Sequence, residues 1–214
     1  LTRRASEWLV PLLLLFLGGK SAAAAPSPSP GPPAPPTPLP PSPGGGGSGR
    51  EVARVRTGED DLAAWKRRRL ALLVPTLNAV ASEQGLTPPP GLIDRIALSL
   101  LAQWAHETAR GTHEFNFNLG GWRARSTDDF FAARDAQSGR EVFRWTAYAE
   151  LGPAIEDQVR RLVSGFPSAV RMLITNPESS AWVEELGRLG YYQASPTAYA
   201  HAWATQRTEL GAIP

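Results

Sequence analysis

The 214-residue sequence contains no cysteine, so it has no disulfide framework and no cysteine nucleophile, and it must hold itself together by packing alone. It has no apolar run long enough to cross a bilayer. The run from Trp8 to Leu17 is roughly ten residues, where a spanning helix needs about twenty. Neither sign of charge dominates: 22 Lys and Arg stand against 20 Asp and Glu. Leaving out the first 24 residues brings the balance near zero, so the basic pI argues little for nucleic acid, and no nucleic-acid partner is expected. There is no glycine-rich phosphate loop, because Gly120-Gly121 lacks both the spacing and the Lys-Ser/Thr ending, and there is no Gly-x-Ser-x-Gly. His106-Glu107 begins like a zinc motif, but position 110 is arginine. The looser set His106, His113 and Glu114 is interrupted by Gly111, which is expected to end the helix. No metal or cofactor is therefore expected.

The N-terminus has the layout of an export signal. Arg3 and Arg4 precede the apolar stretch, and Lys20-Ser21-Ala22-Ala23-Ala24-Ala25 offers small residues for cleavage, so residues 1–25 read as a signal peptide and the protein as exported, periplasmic or extracellular. Membrane contact is expected only through this segment, if it stays uncleaved. Residues 26–50 form a Pro/Gly-rich linker: proline favours extended polyproline II and glycine a random coil, which together make a spacer.

After the linker the pattern is helical. Acids at Glu59-Asp60-Asp61 lead into Leu62, Trp65, Leu70, Leu73, Leu77 and Val80, with a kink expected at Pro75, and 57–87 reads as a helical segment packing on the core. Lys66-Arg67-Arg68-Arg69 is expected to be a solvated face, the alternative being contact with an anionic polymer. Further helices are expected at 92–109, 153–164, 167–174, 178–189 and 196–208, the last with Ser195 as cap and Pro196 in its first turn. Phe130-Phe131 and Val142-Phe143-Arg144-Trp145 flank Asp135-Ala136-Gln137-Ser138-Gly139 and predict a β-hairpin. The fold class is thus mainly α (α+β), with a small hairpin lobe.

On the second of these helices Ile93, Ile96, Leu100, Trp104 and Glu107 fall within roughly 80° of arc at about 100° per residue. A carboxyl ending an apolar stripe is aimed toward the core, where partial burial raises its pKa as a general acid requires. A buried glutamate paired to an arginine would produce the same pattern.

The run Ala102-Gln103-Trp104-Ala105-His106-Glu107-Thr108-Ala109-Arg110-Gly111, followed by Asn116-Phe117-Asn118-Leu119-Gly120-Gly121-Trp122, resembles the glucosaminidase family of peptidoglycan hydrolases, in the lysozyme-like superfamily. Two further blocks agree in order: Phe143-Arg144 with Tyr148, Ile155 and Asp157, and Leu186-Gly187-Arg188-Leu189-Gly190-Tyr191 with Pro196 and Tyr199-Ala200. Residues 88–210 are the segment assigned to this likeness. The chain departs from the family where Gly190-Tyr191 continues as Tyr192-Gln193-Ala194-Ser195-Pro196: the family's aspartate is absent and one residue is added.

The resemblance implies a lysozyme-like helical domain that cuts β-1,4 bonds of peptidoglycan glycan strands, with Glu107 on the catalytic glutamate and Asn118 on the following turn. A second carboxylate, in the place after Thr127, would be Asp128 or Asp129; alternatively the substrate's acetamido group takes that role. Tyr191 would line the cleft near the reacting sugar. Trp122, Tyr148 and Tyr192 are substrate-binding candidates, and Trp145 is a further aromatic platform. The alternative is a non-catalytic module of the same fold that binds glycan strands or scaffolds the envelope.

Overall fold

The computed structural model describes residues 49–134, 140–192 and 194–214. The segments read as signal peptide (1–25) and most of the linker lie outside the described residues, as does the hairpin turn at 135–139. The chain forms α1 (Leu62–Glu83), α2 (Leu92–Glu107), a hairpin of β1 (Phe130–Arg134) and β2 (Glu141–Thr146), then α3 (Leu151–Gly165), α4 (Pro167–Thr175), α5 (Ala181–Arg188) and α6 (Pro196–Ala212). The architecture is mainly α with a two-stranded antiparallel lobe, as the sequence pattern predicts. Among the described residues no helix is long and apolar enough to cross a membrane.

Helix α2 is the axis of the core. Ile96, Leu100 and Trp104 are buried as the stripe requires, but so are Ala97, Leu101, Ala102 and Ala105 on the other sides. A helix apolar all round belongs inside a protein, and here α1 and α6 pack against it. Trp182 of α5 and Trp203 of α6 meet edge to face at 5.9 Å, and the Trp203 indole donates to the Ser99 carbonyl at 3.0 Å. Both aromatic residues thereby fill the core without orphaning a polar atom of Trp203.

Several local expectations change once the helices are packed. Helix α1 runs through Pro75 without ending, and it is capped by Asp61, whose carboxylate accepts from the N–H groups of Ala63 and Ala64. Ser195 holds the cap position of α6 but makes no capping bond with its side chain. The basic run is not wholly a solvated face. Arg67 and Arg68 are exposed, but Arg69 is fully buried and pairs with the equally buried Glu114 at 2.6 Å. Glu114 also accepts from the Trp65 indole at 2.9 Å, and Arg69 reaches Glu59. Removing these charges from water is costly unless each lone pair is satisfied, which this cluster achieves.

Gly49 and Arg50, the last two residues assigned to the spacer, lie against the hairpin. Phe130 N–H donates to the Arg50 carbonyl, Val52 N–H returns a bond to the Phe130 carbonyl, and the strap continues to Thr57, which pairs with Glu114. Residues 50–57 therefore tie the hairpin lobe to the segment that follows α2.

Candidate active site

Helix α2 stops at Glu107 because the next residues abandon helical backbone. Ala109 and Arg110 take positive φ, and Gly111 follows at +84°, where a Cβ would come within 2.4 Å of the Trp65 ring. A second left-handed pair, Asn116 and Phe117, turns the chain back toward α2. Four non-glycine residues in this region, each costing about 1 kcal/mol, persist because the surroundings dictate them. The Asn116 side chain accepts from Val55 N–H and donates to the Ala53 carbonyl, and Gln158 of α3 bridges Gly120 N–H and the Phe117 carbonyl.

This turn brings Gly120-Gly121 over the end of α2. A Cβ on Gly121 would stand 3.5 Å from Glu107 Oε2, so the carboxylate lies directly beside the loop. Glu107 Oε1 accepts from the Tyr199 hydroxyl at 2.5 Å and, more weakly, from Gln103 Nε2 at 3.5 Å. Gln103 Nε2 also lies 3.1 Å from the Tyr191 hydroxyl and 3.2 Å from that of Tyr199. Tyr191 in turn donates to the Gly120 carbonyl at 2.5 Å. Two helices and the turn thus meet in one hydrogen-bonded cluster around the carboxyl group.

No basic side chain among the described residues pairs with Glu107; the glutamate locked in a buried ion pair is Glu114. Burial raises the Glu107 pKa above the ordinary carboxylate value, against the opposing pull of the bonds from Tyr199 and Gln103. Its Oε2 has no hydrogen-bond partner among the described residues and lies beside the Gly121 backbone. The group is a weak acid with one satisfied oxygen and one beside the loop. His106, next to it, points away and meets Tyr199 edge to face at 4.5 Å, with its pKa lowered by burial.

The other candidates sort into two groups. Tyr191 and Trp122 join Glu107's surroundings: their rings meet edge to face at 5.3 Å, and Phe166 closes the cluster. Asn118 holds the turn with a reciprocal pair, accepting from Trp122 N–H and donating to the Trp122 carbonyl, each at 2.8 Å. Tyr192 stacks on Tyr199 at 3.7 Å and donates to the Val183 carbonyl; burial pushes its pKa up to about 12. It buttresses Tyr199 from behind.

Asp128, Asp129 and Tyr148 belong to the hairpin side. Asp128 receives Arg161 at 2.5 Å and Arg125 at 3.0 Å, while Asp157 bridges Arg161, Arg125 and the Tyr148 hydroxyl. Burial alone would raise the Asp128 pKa, but the Arg125 N–H and the Arg161 and Arg125 guanidiniums hold it below the ordinary value. Asp129 is half exposed and accepts from Arg50 N–H. Trp145 lies on the other face of β2 with Phe143, under the Arg123 guanidinium.

Among the described residues no three His, Asp or Glu side chains are placed to hold a metal ion, and in the set His106, His113 and Glu114 the last is taken by Arg69. The site contains residues that reading by position did not single out. Gln103 lies one helical turn before Glu107 on the same face, which was a usable signal. Tyr199 stood in the family-like block after Pro196 but without a role, and Gln158 carried no signal, because their contacts cross 92 and 38 residues of chain.

No family model matches the chain, and no curated protein matches it. Among solved structures it is similar to a peptidoglycan hydrolase from Sphingomonas sp. A1, with 23% identity over 69% of this chain and 96% of that one, at a TM-score of 0.47. It is also similar to the glycoside hydrolase domain of FlgJ from Salmonella typhimurium, with 21% identity over 69% of this chain and 89% of that one, at a TM-score of 0.40.

Proposed function

We propose that the protein is an exported glycoside hydrolase that cuts β-1,4 bonds of peptidoglycan glycan strands as an endo-N-acetylglucosaminidase, with Glu107 as general acid. The observation that carries this reading is the state of Glu107: among the described residues a carboxyl without a counter-ion, weakened as an acid by burial, with one oxygen anchored by Tyr199 and the other without a hydrogen-bond partner. A glutamate kept for stability alone would be paired, as Glu114 is. The local sequence from Gln103 to Trp122, with its likeness to glucosaminidases, supplies the substrate class. The signal-like N-terminus supports delivery to the envelope.

In this reading the protonated form of Glu107, which burial favours, gives its proton to the leaving glycosidic oxygen from Oε2. Asp128 is engaged by two arginines and Asp129 accepts from the Arg50 N–H, so this reading gives the second role to the substrate instead. The acetamido oxygen of the substrate's own N-acetylated sugar then attacks the anomeric carbon, and water opens the resulting ring with Glu107 acting as base. Tyr191 and Trp122 form the wall beside the reacting sugar.

The deciding experiment compares wild type and Glu107→Gln on purified sacculi, measuring new reducing ends and identifying the sugar that carries them. Reducing ends ending in N-acetylglucosamine from wild type, falling by roughly a hundredfold or more in the variant, are expected for loss of a general acid. Sacculus binding without any release by wild type would make the protein a glycan-binding module instead.

A further inference from the structure

At the opposite end of α2 from Glu107, the helices line a cavity of about 270 Å³. Its floor is buried aliphatic core: Ile96 and Leu100 of α2, Val159 and Leu162 of α3, Leu173 of α4. The C-terminal part of α1 forms one side through Val80 and Ala81. No aromatic ring and no acidic side chain lines it, which sets it apart from Glu107's aromatic surroundings and makes it unsuited to stacking a sugar or receiving a cation.

The one charged residue at its wall is Arg95, exposed at the rim. Among the described residues the Arg95 guanidinium has no carboxylate partner; its Nε donates only to the Gly91 carbonyl, at 3.3 Å. Gln84 and Thr87 stand on the same rim with side chains that make no hydrogen bond among the described residues. The lining therefore combines an aliphatic interior with a cationic, donor-bearing mouth, which matches one ligand chemistry: a linear alkyl chain ending in an anion.

We propose that this cavity binds a single-chain fatty acid, its alkyl chain between α1, α2, α3 and α4 and its carboxylate against Arg95. The site is separate from Glu107 and does not depend on what Glu107 does. Isothermal titration of the full chain with laurate, and in parallel with dodecyltrimethylammonium as the same chain with the opposite head, tests it below the micellar range. Expected is saturable uptake of one laurate per chain, tighter than the cationic probe by about tenfold, as attraction to one charge and repulsion of the other together allow. Arg95→Glu should invert that order. Ala81→Trp, which fills the side contributed by α1, should abolish uptake of both probes while circular dichroism shows the helices retained. Absence of saturable uptake, equal affinity for the two head groups, or uptake unchanged in Ala81→Trp would each overturn the proposal.

Discussion

The Tyr199 hydroxyl donates to Glu107 Oε1 across 92 residues of chain, joining the C-terminal end of α2 to the first turns of α6. The bond favours the ionised carboxylate and so opposes the effect of burial on Glu107. Tyr199 thus sets both the direction of the other oxygen and the strength of the acid, and its own pKa is raised by burial and by the carboxylate it faces.

Tyr199→Phe keeps the ring, its stack on Tyr192 and its contact with His106 while deleting that bond. The Glu107 pKa should rise further, moving the basic limb of the pH profile of kcat/KM upward, and kcat at neutral pH should fall about tenfold as the acid loses its orientation. Glycan-release rates across pH check both. A limb that moves downward would show that Tyr199 does not favour the ionised form.

Glu107→Gln should raise stability even as it removes activity. A carboxyl whose pKa is raised on folding binds more protons folded than unfolded, so its contribution falls as pH rises from the ordinary carboxylate value through the folded one. The neutral amide escapes that loss. Thermal melts should therefore show the variant melting higher than wild type at neutral pH, with the gap closing below the ordinary carboxylate range.

Only the resemblance distinguished Glu107 from an ion-paired glutamate; the apolar periodicity of Ile96, Leu100 and Trp104 put it on a core-facing side. The helices were legible for the same reason, within a few residues at each end. The buried pairing of Arg69 was not: four residues after Trp65 and four before Leu73, it shares their buried face, but its partner Glu114 lies 45 residues away. The arginine network that engages Asp128 was hidden likewise, since Arg161 comes from α3 and the spacing after Thr127 says nothing about what faces the carboxylate.

That network predicts the behaviour of Asp128→Asn. With its pKa lowered on folding, Asp128 stabilises the protein above the ordinary carboxylate value, and the contribution is lost as pH falls through the folded value. The variant should lose about 2 kcal/mol at pH 7, between the cost of breaking an exposed pair and a fully buried one, and the difference should shrink in acid. Urea titrations at both pH values measure it. Glycan release per folded molecule should stay within a few-fold of wild type, and the anomer formed first should be β, because attack by the acetamido group retains configuration. An initial α anomer would return the second role to a carboxylate that activates water.

Gly120→Ala isolates the geometry of the turn. Gly120 is not in the left-handed region, so a side chain adds no backbone strain there. The added Cβ would nevertheless stand 2.7 Å from the Trp122 indole nitrogen and 2.9 Å from the Tyr191 hydroxyl, closer than either can tolerate. Tyr191 must move, and with it go the bond to the Gly120 carbonyl and the contact with Gln103 that links it to Glu107. A displacement near 1 Å at a reacting centre costs roughly a hundredfold in rate, so kcat should fall by about that factor with Tm only a few degrees lower. Gly152→Ala on α3 provides the contrast, since its Cβ meets nothing within 4 Å. That variant should match wild-type activity, since the added Cβ touches no part of the turn. If the two alanine variants release glycan at the same rate, the turn does not shape the site around Glu107.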